Sequence, residues 1–177
     1  KNATLAGMPL ARRVPFNDVA ALSAALTDDV AALLVEPVQG VAGARDVSPE
    51  FLAAARRFCT ERGIALLFDE VQSGVGRCGA FTAAELYGIT PDGLSLAKGL
   101  ASGVPIGATV VNEWLSEGIV TGDLGSTFGG GPLACAAARA TLDVVKSEQL
   151  SLNAARIGAQ LRAGLAGLPG VVRLQGH

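Results

Sequence analysis

"ALLFDEVQSGVGRCGAF", residues 65–81, is an apolar run that stops at two adjacent acids and passes straight into glycines. A short apolar run bounded by turn residues reads as a strand buried on both faces, the kind found in parallel sheets. The carboxylates at its tip, Asp69 and Glu70, must reach water or meet a specific positive partner.

The neighbouring segments repeat the pattern. Upstream, "AALLVEPV" (31–38) is a compact apolar strand that ends at Glu36, and downstream "GLSLAK" (93–98) ends at Lys98. Between the first two strands, "SPEFLAAARRFCTERG" (48–63) carries helix punctuation at both ends: Ser48 as N-cap, Pro49 at the first helical position and Gly63 as the stop. A further short helix is expected at 82–87, and another starting near Asn17 or Asp18. "IGATVVN" (106–112) follows the third strand too soon for a crossover helix, so an antiparallel neighbour is expected. Strand, helix, strand, short helix, strand is the order of βαβ units. The fold class is therefore α/β, a mostly parallel sheet covered by helices on both faces.

Farther along, "GDLGSTFGGGP" (122–132) leads into a helix rich in small side chains, and 148–166 carries a stripe of Leu150, Ala154, Ile157, Leu161 and Leu165. The expected organisation is one large domain over 1–146 and the start of a second over 147–177. Both ends read as cut: Lys1 stands where an initiator Met is expected, and "GVVRLQGH" stops inside what reads as a strand.

Bulk properties narrow the function. The 177 residues are 50% hydrophobic with a mean hydropathy of +0.42, enough for a substantial core. Fourteen basic and sixteen acidic residues leave a net charge of −2 with no basic block, which argues against nucleic acid or an anionic membrane as partner. No apolar stretch reaches the ~20 residues of a spanning helix, and no signal peptide is visible. Cys59, Cys78 and Cys135 form no CxxC pair and read as free thiols in a reducing cytoplasm. The single histidine, His177, leaves no His-based triad and no multi-His metal site, so no metal is expected.

Glu36, Asp69 and Lys98 each follow a strand. In an open parallel sheet the carboxyl ends form one rim where ligands bind, and neighbouring strand tips lie ~4.8 Å apart. Burial there makes an ammonium costly and favours the neutral, nucleophilic amine. An aldehyde cofactor with a basic ring nitrogen would use both the lysine and an acid. Pyridoxal phosphate has those features, plus a phosphate that suits the backbone N–H groups where "GSTFGGGP" enters its helix.

At this point the sequence resembles a known family. "LLVEPVQG", "LLFDEVQSGVGRCGAF", "YGITPDGLSLAKGLASGVPIGA" and "GSTFGGGPLACA" are similar, in order and spacing, to the second half of the large domain of class-III pyridoxal-phosphate aminotransferases, in the acetylornithine and ornithine branch. The similarity runs from about Val30 to Val145. It implies part of a fold-type-I PLP-dependent transferase large domain followed by the start of a small α+β domain. It makes Lys98 the Schiff-base lysine and proton shuttle, and Asp69 the carboxylate on the pyridinium nitrogen. Val71 would pack on the ring and Gln72 would hydrogen-bond near its phenolic oxygen. Ser126 and Thr127 would contact the phosphate held by the neighbouring subunit of a homodimer, and Glu36 would line the substrate side. The implied partners are an amino donor and a 2-oxo acid, 2-oxoglutarate, in the cytoplasm.

The resemblance has departures. Val41 stands where ornithine-type members usually carry a glutamate, Gly131 replaces the asparagine of "GGNPL", and Leu124 occupies a position where a histidine commonly precedes "GST". The resemblance also implies a chain more than twice as long. The upstream phosphate loop, the stacking aromatic residue and the carboxylate-gripping arginine are not within this sequence. The alternative is a catalytically silent fragment whose value is structural or dimer-forming. A remote alternative is dinucleotide binding through Gly74–Ala80, because "GVGRCGA" matches G-x-G-x-x-G-A. Its first glycine lies too far past the strand for that role, and no long helix follows.

Overall fold

The computed structural model describes residues 11–177. The helix starts lie where the sequence marks them. Helix α1 (Val19–Ala25) is capped by Asp18, whose Oδ1 accepts from Ala21 N at 2.8 Å. Helix α2 (Pro49–Arg62) is capped by Ser48, which accepts from Phe51 N at 3.2 Å, and ends at Gly63 with φ 65°. Helix α3 (Ala83–Tyr87) begins at Thr82, whose hydroxyl accepts from Glu85 N at 3.1 Å.

Strand β1 (Ala32–Val35) is shorter than the apolar run suggests. Pro37 has no N–H for a ladder, and the chain leaves the sheet to form a small antiparallel hairpin of β2 (Val38–Gln39) and β3 (Arg45–Asp46). The main sheet is completed by β4 (Ala65–Asp69), β5 (Gly93–Leu96) and β6 (Ala108–Val111), in the order β1-β4-β5-β6. β1, β4 and β5 are parallel and β6 is antiparallel to β5, as the short 106–112 connection implies.

One face of the sheet carries the core. Val35 pairs with Phe68 and Leu33 with Leu66, and these side chains pack on Leu52, Ala55 and Cys59 of α2, on Leu22 of α1 and on Ala84 of α3. Fully burying side chains such as Leu52, Leu66 and Phe68 stabilises by roughly 1.5–3 kcal/mol each.

The expected helix cover on both faces is not found among the described residues. The reverse face presents one continuous row, Leu34–Leu67–Gly93–Val111, with Leu34 67% exposed. The reason is topological. Strands β1, β4 and β5 are added in one direction, and right-handed crossovers taken in one direction lay their helices on the same side.

The chain continues from β6 through α4 (Glu113–Ser116) to α5 (Pro132–Ser147) and α6 (Leu150–Leu165). Helix α5 packs beside the end of β5 in a second, smaller cluster. A break at Gln149, φ 52°, separates α5 from α6. No residue of α6 is buried, and its stripe is half-buried at Leu150, Ala154 and Ile157 but exposed at Leu161 and Leu165. The strand expected at "VVRLQ" does not form, because residues 171–177 find no strand to pair with. The segment lies on α6 instead, where a Cβ on Gly158 would come within 3.0 Å of His177, and Arg162 donates to Gly176 O. No helix among the described residues is long and apolar enough to cross a membrane.

Candidate active site

The two acids at the tip of β4 point to different environments. Glu70 is 1% exposed, and its carboxylate accepts hydrogen bonds from Ala83 N (2.6 Å), Ala84 N (2.8 Å) and Ser73 Oγ (2.9 Å). It therefore satisfies the first free N–H groups of α3 from the side, which offsets the cost of burying a charge. Asp69 is half-buried. Its Oδ1 accepts from Val71 N at 3.0 Å and, more weakly, from Ser95 Oγ of β5 at 3.4 Å. Its Oδ2 accepts nothing from the described residues.

The glycine turn that follows is built for internal packing. A Cβ on Gly74 would lie 2.5 Å from Leu96 Cδ2 and 2.8 Å from Glu70 O. The closeness that a dinucleotide fingerprint reserves for a pyrophosphate is spent here on β5. The helix beyond has five residues, and Glu70 and Thr82 already occupy its leading N–H groups. Gly74–Ala80 thus offers no phosphate cradle, and the dinucleotide alternative is removed.

Strand β5 stops at Leu96, so Lys98 stands beyond the sheet, at the start of a 3-10 turn (Lys98–Ala101) with φ 50°. It is exposed, not buried at the strand end as expected. Lys98 lines a cleft of about 800 Å³ together with Val71, Gln72, Arg77, Ser102 and Thr141. Gln72 is held there by the hairpin loop, since a Cβ on Gly40 would meet its Cγ at 2.9 Å. Asp69 and Glu36 instead line a separate depression of about 370 Å³, beside Arg12, Arg13 and Phe16. The rim therefore brings Lys98, Val71 and Gln72 into one cleft, and Asp69 with Glu36 into the other. Ser126 and Thr127 lie on the exposed loop before α5 and line neither space.

Sequence reading missed two cleft residues, Ser102 and Thr141. Thr141 Oγ1 is hydrogen-bonded to Ser102 Oγ at 3.1 Å and donates to Ala137 O at 2.9 Å. The Ser-Gly pair at 102–103 signals a turn, but nothing in the sequence distinguishes Thr141 from any other helix-face residue. All three cysteines are free. Burial pushes the Cys59 thiol up to about 11, and it raises Cys78 too, aided by the nearby Glu70 carboxylate. Neither is poised as a nucleophile.

The sequence model of one family, Aminotransferase class-III, matches residues 5–171. Acetylornithine aminotransferase 1 of Bordetella parapertussis is 46% identical over 171 residues, covering 93% of this chain and 44% of that protein. The crystal structure of ornithine aminotransferase from Toxoplasma gondii ME49 matches with a TM-score of 0.87 and 38% identity, over 96% of this chain and 42% of its own. A second Toxoplasma gondii ornithine aminotransferase structure, described as having partial occupancy of PLP at its active site, matches with a TM-score of 0.86 and 35% identity over 100% of this chain and 44% of its own. The chain thus spans less than half the length of these relatives. With the family's sequence model running along nearly all of it and such identity over its whole breadth, this chain belongs to the class-III aminotransferase family.

Proposed function

We propose that this chain supplies the lysine and the ring-binding acid of a pyridoxal-phosphate-dependent aminotransferase, which moves an amino group from an acetylornithine- or ornithine-like ω-amino donor to 2-oxoglutarate. One observation carries the reading. Asp69 ends β4 and Lys98 comes just after its parallel neighbour β5, at the same rim, and Asp69 is hydrogen-bonded to Ser95, three residues before Lys98.

The donor set fits the cofactor. Asp69 has one oxygen fixed by Val71 N and Ser95 Oγ, and the other is left for a protonated ring nitrogen. Lys98 extends an exposed primary amine into a cleft whose wall includes Val71 and Gln72. When bound, pyridoxal phosphate would supply an aldehyde carbon and an electron-withdrawing ring. Lys98 would take and return the proton at the substrate carbon, and Asp69 would keep a positive charge on the ring nitrogen. Ser126 and Thr127, on their exposed loop, would contact the phosphate held by a neighbouring subunit in a homodimer. Glu36 lines the substrate side, and Val41, 92% exposed at the hairpin turn, stands where the resemblance expects a glutamate tied to substrate recognition. The division into 1–146 and 147–177 and a cytoplasmic location belong to the same reading; the break at Gln149 and the free thiols support them.

The separate openings of Lys98 and Asp69 favour a second reading for the chain alone: a folded, catalytically silent piece that binds cofactor weakly or not at all. Adding pyridoxal phosphate distinguishes them. The expected result is a visible absorption band, lost in Lys98→Ala, and a borohydride-fixed adduct on the peptide containing Lys98. Turnover of an ω-amino donor with 2-oxoglutarate establishes the enzyme, and an adduct without turnover marks a partial site. Labelling at Lys146 with none at Lys98 overturns the assignment.

A further inference from the structure

We propose that helix α5 is the positioning element for Lys98, acting through Ala138 and Thr141 on the 3-10 turn that carries the lysine. The proposal rests on the reading of Lys98 as the reactive amine.

Among the described residues no carboxylate lies within ion-pair distance of Lys98, and its side chain is exposed, so its direction is set by its backbone. That backbone is unusual. The turn opens at Lys98 with φ 50° and closes at Ser102 with φ 48°, and across the same cleft Val75 holds φ 57°. Side chains other than glycine seldom adopt this region, and a β-branched valine least of all. Such conformations persist only where the surroundings over-determine them.

Helix α5 provides that constraint. Leu100 and Ala101, between the two left-handed residues, are 4% and 1% exposed and pack on Ala138, the one buried residue of α5. Three positions on, and therefore on the same face of the helix, Thr141 holds Ser102 through its hydroxyl. Packing fixes the depth of the turn and the hydroxyl pair fixes its exit. Together they set where the Lys98 amine enters the cleft.

The chain contains three lysines, at 1, 98 and 146, so reductive methylation with ¹³C gives a simple NMR spectrum. Thr141→Val keeps the shape and removes the hydroxyl, Thr141→Ser restores it, and Ala138→Leu overfills the contact. The expected result is that Thr141→Val moves the signal and the pH titration of Lys98 while Lys146, on the same helix, stays put. Thr141→Ser returns Lys98 to its wild-type position. On unmethylated protein, the rate of borohydride-trapped pyridoxal phosphate adduct at Lys98 falls about 10-fold in Thr141→Val. Should Ala138→Leu fail to fold, Thr141→Val decides alone. An unmoved Lys98 signal, or an equal shift of Lys98 and Lys146, overturns the proposal. A moved Lys98 signal in a protein that forms no adduct upholds positioning and removes the cofactor reading. An adduct with an unmoved signal does the reverse.

Discussion

Asp69 and Glu70 are adjacent in the chain yet differ in what their removal does. Replacing Glu70 with Ala strands three donors, Ser73 Oγ, Ala83 N and Ala84 N, in a buried place. The expected cost is ~3 kcal/mol of folding stability, read from urea unfolding. Asp69→Asn keeps the Oδ1 acceptor, so stability should change by less than about 0.5 kcal/mol, while retention of pyridoxal phosphate should fall at least ~10-fold, measured by equilibrium dialysis. The thiols offer a third check. Under native conditions at neutral pH, an alkylating reagent should label exposed Cys135 and spare Cys59 and Cys78. Cys59 also sets a sign: its folded value is raised from 9.0 to about 11 by burial. Its contribution is therefore complete below pH 9.0 and is lost as pH climbs toward about 11, visible as a falling thermal midpoint. The acid pair announced itself in the sequence as an anomaly. What holds Glu70 was not legible, because two of its three partners lie 13 and 14 residues on and reach it only after the glycine turn has closed.

Helix limits, strand directions and the antiparallel β6 were legible because each rests on local chemistry: Ser48, Thr82, Gly63 and the short stretch between Lys98 and Ile106. The β2–β3 hairpin was not, since two-residue strands have no period to detect. The depth of Lys98 was misjudged for a related reason: an apolar run does not reveal that its last residue has already turned out of the ladder. Two substitutions test the elements. Gly74→Ala forces a methyl against Leu96 and the Glu70 carbonyl and should cost ~2 kcal/mol, read from urea unfolding. Asp92 ties three strands together. Its Oδ2 accepts from Leu66 N at 2.8 Å and pairs with Arg56 at 2.9 Å, and its Oδ1 accepts from Asn112 at 3.0 Å. Asp92→Ala should lower stability by about 2–3 kcal/mol, with hydrogen exchange rising first in β5 and β6.

Across the whole molecule, exposed apolar side chains gather outside the core. Leu34 and Val111 lie on the reverse face of the sheet, while Phe128, 92% exposed, and Leu133 flank the entry to α5. Surface of this kind marks an interaction site, so the chain should sediment as a dimer or larger at micromolar concentration. Phe128→Ser should shift it toward monomer without changing its circular dichroism. The one-way arrangement of strands has a further consequence. Position in the main sheet, β1-β4-β5-β6, is also the order in which those strands leave the ribosome. Among these four strands, each newly made one can join the edge left by its predecessor, and none is inserted between two others. A nascent polypeptide arrested after Val111 should therefore already resist protease along its earlier strands, before α5 and α6 have been translated.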